Sequence, residues 1–166
     1  MRIIIIGAFM FVSASVQAQI GVPVAPLVPS SIEQYERFRL YTSCAPVALL
    51  VEGLPTNATE IGLFEDDILT TVRSRLRGAR IYSSEAKHEP YLYVNVNVVG
   101  LSFNIRVELN KPVTDLETKL IYSAPTWQRG TTGTHAKDSD YILQSIGMLM
   151  DKFIDEYLAV NESACK

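Results

Sequence analysis

The sequence has 166 residues, of which 48% are hydrophobic and 20% are charged, with 15 Lys and Arg against 18 Asp and Glu, and two cysteines. This composition is too apolar for a disordered chain, too acidic for a dedicated nucleic-acid-binding domain and too poor in cysteine for a disulfide-rich scaffold. It fits one globular domain that is large enough to bury its own core.

The first 18 residues have the three parts of a secretory signal peptide. Arg2 precedes an apolar run over residues 3–12, and Val16 and Ala18 occupy the −3 and −1 positions of a cleavage site. The run is shorter than the roughly 20 residues that a membrane-spanning helix needs. We therefore expect an exported protein, periplasmic or secreted, with no integral membrane span after cleavage. An uncleaved N-terminal anchor is the alternative.

Two segments follow the predicted signal peptide. Residues 19–31 contain Pro23, Pro26 and Pro29, which are incompatible with a helix and predict an extended leader. Residues 32–166 carry the periodic patterns of secondary structure. We expect them to form a single α+β domain.

Cys44 and Cys165 both lie beyond the predicted cleavage site. In an oxidising compartment, two cysteines most simply form a structural disulfide, which here would tie the last helix to the start of the first strand. A reactive cysteine is the alternative, but the sequence has no C-x-x-C motif.

Apolar spacing predicts three helices. The first is a short helix over residues 32–41, and the second is an amphipathic helix over residues 63–79, with acidic residues in its first turn and arginines in its last turns. The third is the longest periodic segment; it ends at Asn161 and has Asp138 or Ser139 as its N-cap.

Several segments have the patterns of strands. Residues 45–52 form a continuous apolar run, typical of a buried strand, and a short strand is expected near residues 80–82. Residues 91–99 and 101–109, with Leu101 among the inward positions, alternate apolar and polar side chains around Gly100, which predicts a β-hairpin. A further strand is expected over residues 119–127, where Pro125 indicates an edge or an end of pairing. Residues 128–138 have the composition of a loop.

This order of elements predicts the fold class. Strands that are apolar on one side need cover on that side only. We therefore expect an α+β two-layer sandwich, with a mostly antiparallel sheet of three to five strands and the two main helices on its apolar face.

One loop carries the residue types of a catalytic or metal site. His135, Asp138 and Asp140 follow two glycines at the start of the last helix. In a small hydrolase or metal-dependent enzyme, His135 would act as base or ligand and the two carboxylates would orient it. The structural alternative is a surface histidine beside an aspartate that caps the helix. No nucleotide-binding, zincin or α/β-hydrolase motif is present, and no cofactor or metal is expected.

The polar side of the predicted hairpin is the second candidate site. Amide and aromatic side chains on an open sheet bind proteins or glycans, whereas nucleic acid would require a much more basic surface. The alternative is a sheet face that only contacts solvent. The candidate binding residues are Tyr91, Tyr93, Asn95, Asn97, Asn104, Arg106 and Trp127.

Two N-x-[ST] sequons begin at Asn57 and Asn161, and they are relevant only in a eukaryotic protein.

The order of elements behind a signal peptide resembles small periplasmic accessory proteins of bacterial envelopes, in which a helix-backed sheet docks on a larger membrane assembly. From the signal peptide, the absence of a catalytic motif and the polar, aromatic sheet face, we expect an exported, non-enzymatic domain that acts by binding another protein or an envelope component. The alternative function is the small enzyme centred on His135, Asp138 and Asp140.

Overall fold

The computed structural model describes residues 31–84 and 90–165. The predicted signal peptide and residues 19–30 of the leader lie outside the described residues. The elements, in chain order, are α1 (Ile32–Leu40), β1 (Ala48–Val51), α2 (Thr56–Thr59), α3 (Glu65–Gly78), β2 (Tyr91–Val99), β3 (Ser102–Thr114), β4 (Ile121–Thr134) and α4 (Ser139–Asn161).

The four strands form one mixed sheet in the order β1-β2-β3-β4. β1 runs parallel to β2, whereas the β2–β3 and β3–β4 pairs are antiparallel. A parallel pair needs a long crossover connection, and the segment between β1 and β2 contains α3. The α+β class is confirmed, with one parallel pair in the sheet.

The predicted hairpin is confirmed as β2 and β3. Val99 lies opposite Ser102, and Gly100 between them has a φ of 59°. Glycine adopts this left-handed conformation without steric cost, so the turn begins there. The prediction that Leu101 points inward is wrong, because Leu101 belongs to the turn and is 57% exposed.

The sequence-based prediction for the last strand is corrected by β4. Pairing continues past Pro125 to Thr134, so residues 128–134 are strand and not loop. The edge position predicted from Pro125 is correct, since β4 is the last strand of the sheet. Glycine is needed in this strand for close packing: a Cβ on Gly130 would lie 2.8 Å from the carbonyl oxygen of Ile105, and one on Gly133 would lie 2.9 Å from the ring of Phe103.

The strand predicted near residues 80–82 is reduced to an isolated bridge between Tyr82 and Val47. The apolar residues predicted to point inward from the hairpin, apart from Leu101, are confirmed as core. They are joined there by the apolar stripes of α3 and α4. The members from α3 and α4 are Ile68, Val72, Leu76, Ile142, Ile146, Met150, Phe153 and Tyr157.

The predicted disulfide is confirmed. Cys44 and Cys165 are bonded, with their Cα atoms 5.2 Å apart, and the bond joins the loop before β1 to the residues after α4. Among the described residues, no helix has the length and apolar character needed to cross a membrane.

Candidate functional site

The register of the sheet brings most of the predicted binding residues onto one side. Tyr93 lies opposite Glu108, Asn95 opposite Arg106, and Asn97 opposite Asn104. β4 extends this side with a row of small and amide side chains. We call the polar face the set Glu52, Tyr91, Tyr93, Asn95, Asn97, Asn104, Arg106, Glu108, Gln128, Gly130 and Thr132.

Trp127 does not belong to the polar face, which corrects its place among the predicted binding residues. It lies opposite Leu109 in the sheet, on the core side, and is 1% exposed. Its ring packs against Phe153 with the centroids 5.1 Å apart, and its indole N–H donates to Glu156 at 2.7 Å. Trp127 is therefore a core residue that joins β4 to α4.

Glu52 is the centre of a hydrogen-bond chain on the polar face. It directly follows β1, and its backbone N–H donates to the carbonyl of Val94 at 2.9 Å. Its carboxylate accepts hydrogen bonds from the hydroxyl of Tyr93 and the side-chain amide of Asn95. The amide of Asn97 donates in turn to the side-chain oxygen of Asn95 at 2.8 Å. These contacts fix three of the predicted binding side chains in one arrangement.

The same contacts shift two pKa values. Hydrogen bonds from Tyr93 and Asn95 lower the pKa of Glu52 below its ordinary value, and the positive charge of Arg106 acts in the same direction. The hydrogen bond to Glu52 raises the pKa of Tyr93, and partial burial and the charge of Glu52 add to this. At neutral pH Glu52 is therefore a carboxylate and Tyr93 a protonated phenol, and a hydrogen bond joins the two side chains.

Arg106 lies beside this chain and borders an open groove. Its Nε atom is 3.0 Å from Oε1 of Glu108, and its side chain is 52% exposed. The groove has a volume of about 460 Å³ and is lined by residues 104–106 and 128–130. Because Gly130 has no side chain, the backbone of β3 and β4 forms part of the floor. The rim offers guanidinium and amide groups to a ligand.

Sequence reasoning missed Glu52 and Gln128 as site residues. Glu52 is 41 residues from Tyr93 in the sequence, and only the parallel pairing of β1 with β2 brings the two together. Its one local signal is a lone carboxylate at the end of an apolar strand. Gln128 was missed because it falls in the segment predicted as loop.

His135 is 1% exposed, and backbone groups occupy both of its ring nitrogens. Nδ1 accepts a hydrogen bond from the backbone N–H of Lys137 at 3.0 Å. This places the ring proton on Nε2, which donates to the carbonyl of Gly100 at 3.0 Å. His135 thus joins the turn between β2 and β3 to the segment after β4, and it has no ring nitrogen free for a substrate or a metal.

Asp138 and Asp140 lie at the start of α4. Asp138 is the N-cap residue, and its side chain accepts the backbone N–H of Asp140 at 2.9 Å. In the described part of the chain, no group of three or more His, Cys, Asp or Glu residues is placed to hold a metal ion. The chemistry of this loop is that of a helix cap beside a buried structural histidine.

The fold and the polar face define an α+β domain with one disulfide and a mixed sheet whose polar side chains are pre-arranged. The chain matches no known protein-family model, and no curated protein matches its sequence.

Proposed function

We propose that the protein is an exported, non-enzymatic domain that binds another protein or an envelope component through the polar face. The observation that carries this proposal is the Glu52 hydrogen-bond chain beside the open groove. Side chains that are already ordered lose little conformational entropy on binding, so a pre-arranged polar surface favours recognition.

The arrangement of helices supports an open polar face. The proposal takes α3 and α4 to cover the apolar side of the sheet only, as in the predicted two-layer sandwich. In support, α4 contacts the core side of β3 and β4: Tyr141 packs edge-on against Phe103, and Phe153 packs against Trp127. On the polar face, the residues around the groove, Asn104, Arg106 and Gln128, are exposed.

The charges of the polar face favour a partner without a large net charge. Arg106 is the one cation on it, and it lies close to both Glu52 and Glu108. A nucleic acid would meet two carboxylates for one guanidinium, which disfavours its binding. A protein or glycan surface that presents amide or hydroxyl groups has donors and acceptors that suit the rim of the groove.

Export is supported by the signal-peptide pattern of residues 1–18 and by the disulfide, since structural disulfides persist in oxidising compartments. The mass of the protein recovered from its native host tests this part. Cleavage after Ala18 predicts an N-terminus at Gln19, whereas an intact Met1 in the recovered protein would contradict cleavage and favour the uncleaved N-terminal anchor.

The binding site is tested by photo-crosslinking in the native host. A photoreactive residue at Gln128, at the groove, is expected to give one discrete adduct with a molecule other than a second copy of the chain, whereas the same residue at exposed Lys152 on α4 is expected to give none. Adding Arg106→Ala to the Gln128 variant should remove the adduct from a protein that is still folded by circular dichroism. Equal adducts from both positions, or an adduct that survives Arg106→Ala, would contradict the proposal.

A further inference from the structure

The outer edge of β4 is an edge of the sheet that the described strands form. β4 is the last strand of the sheet, and among the described strands it pairs with β3 alone. Near Pro125 this edge is flanked by α1, because the hydroxyl of Thr126 donates to the carbonyl of Arg39 at 2.7 Å. From Gln128 onward the strand is mostly exposed.

The hydrogen-bonding pattern shows which backbone groups face outward. The N–H of His135 donates to the carbonyl of Leu101 at 3.0 Å, so Ser102 and Thr134 between them form a non-hydrogen-bonded pair. Because the two kinds of pair alternate, the N–H and C=O groups of every second residue point away from β3. Those residues are Gln128, Gly130, Thr132 and Thr134.

Residues 128–134 have few of the features that keep natural edge strands from pairing with another chain. Such strands are usually short, bulged, or rich in proline and charge. Pro125 and the register shift near it protect the first half of β4. Residues 128–134 have a single charge, Arg129, whose guanidinium is held 3.0 Å from Glu156.

We propose that residues 128–134 pair antiparallel with the same edge of a second copy of the chain, about a two-fold axis at Thr131. The two four-stranded sheets would then form one continuous sheet, with their polar faces side by side. This inference is independent of the partner proposed for the polar face.

Steric and charge complementarity favour this register. Thr131 would face its own counterpart, Gly130 would face Thr132, and Gly133 would face Arg129. Each glycine is thus opposite a larger side chain, and no two like charges are directly opposite, which would be destabilising. The outward N–H and C=O groups of Gln128 would pair with those of Thr134 in the second copy. Those of Gly130 would pair with those of Thr132. A pairing centred on Arg129 would instead oppose two arginines.

A proline at position 132 tests the pairing. The backbone N–H of Thr132 faces outward, so Thr132→Pro removes no backbone hydrogen bond between β3 and β4. It does remove the outward N–H that the proposed pairing uses. Thr132→Ala is the matched control, since both variants lose the hydrogen bond from Asn104 to the Thr132 hydroxyl. Sedimentation equilibrium of the purified protein between about 1 μM and 1 mM should show dimers for the wild type and Thr132→Ala, and monomers for Thr132→Pro.

A charge exchange at the two-fold axis gives a second test. Thr131→Lys alone and Thr131→Glu alone place like charges opposite each other, so each should sediment as a monomer. An equimolar mixture of the two should recover the dimer. A wild type that stays monomeric up to about 1 mM, a Thr132→Pro variant that dimerises, or a mixture that stays monomeric would each overturn the proposal.

Discussion

The side-chain oxygen of Asn161 accepts a hydrogen bond from the backbone N–H of Cys44 at 3.2 Å, beside the disulfide that joins Cys44 to Cys165. The same oxygen accepts the N–H of Thr42 at 3.0 Å. The amide nitrogen donates to the carbonyls of Leu40 and Tyr157 at 3.0 and 2.9 Å. Asn161 is fully buried, so this one side chain holds the loop between α1 and β1 against the end of α4.

The loop that Asn161 holds has an unusual backbone. Ser43 and Cys44 have φ values of 57° and 58°, in the left-handed region that non-glycine residues seldom adopt. We therefore expect Asn161→Ala to lower the free energy of unfolding by about 3 kcal/mol, because it leaves several backbone groups without partners. Urea unfolding followed by circular dichroism measures the change. Asn97→Ala, at an exposed asparagine, is the control and should cost less than about 1 kcal/mol. Equal effects of the two substitutions would refute a special role for Asn161.

The same burial predicts that the Asn161 sequon stays unmodified. All four hydrogen-bonding positions of the side chain are occupied inside the fold, which leaves no space for a glycan. Folded protein secreted from a eukaryotic host should have an unmodified Asn161 by peptide mass spectrometry. A folded, disulfide-bonded glycoform at this position would contradict the structure.

The disulfide closes a loop with a sequence separation of 121 residues. Replacing both cysteines by serine is expected to lower the free energy of unfolding by about 2–5 kcal/mol, because the unfolded chain regains conformational freedom. Thiol titration of the denatured, unreduced wild type should find no free thiol. Two titratable thiols in that experiment would disprove the bond.

The Glu52–Tyr93 pair predicts a distinct dependence on pH. The pKa of Glu52 is lowered from 4.5, so the stability that this group contributes is present above pH 4.5 and is lost as the pH falls through the lowered pKa. The pKa of Tyr93 is raised from 10.0, so its contribution is present below pH 10 and is lost as the pH rises through the raised pKa.

Glu52→Gln should therefore bring the pKa of Tyr93 back down towards 10, since it replaces the negatively charged acceptor by a neutral amide. Ultraviolet titration of phenolate formation measures this pKa, and subtraction of a Tyr93→Phe titration isolates Tyr93 from the other tyrosines. Glu60→Gln, at an exposed carboxylate, is the control and should leave the titration unchanged. An unchanged pKa of Tyr93 in Glu52→Gln would exclude the hydrogen bond between them.

We expect His135 to stabilise the fold. His135→Ala leaves the carbonyl of Gly100 and the N–H of Lys137 without their partners, which should cost about 2 kcal/mol of unfolding free energy. Lys137→Ala retains that backbone N–H and should change stability by less than about 0.5 kcal/mol. Thermal and urea unfolding of both variants distinguish the two outcomes, and a neutral His135→Ala would contradict the structural role.

The sequence by itself determined the features that depend on near neighbours along the chain. Alternation in β2 and β3 predicted the hairpin and its buried face, because every second side chain of a strand points the same way. Spacing predicted α3 and α4, and the aspartate before α4 predicted its cap. The two cysteines predicted the disulfide once export was inferred.

Only the tertiary structure decided which strands lie side by side and which face each side chain joins. The β1–β2 pairing brings Glu52 to Tyr93, and the β3–β4 register buries Trp127 on the core side. Gly130 and Gly133 have the local signature of a loop, yet both lie in β4. Glycine is needed at these two positions because neighbouring atoms leave no room for a Cβ. Strand pairing depends on contacts between residues that are far apart in the chain, and a local sequence pattern does not include those contacts.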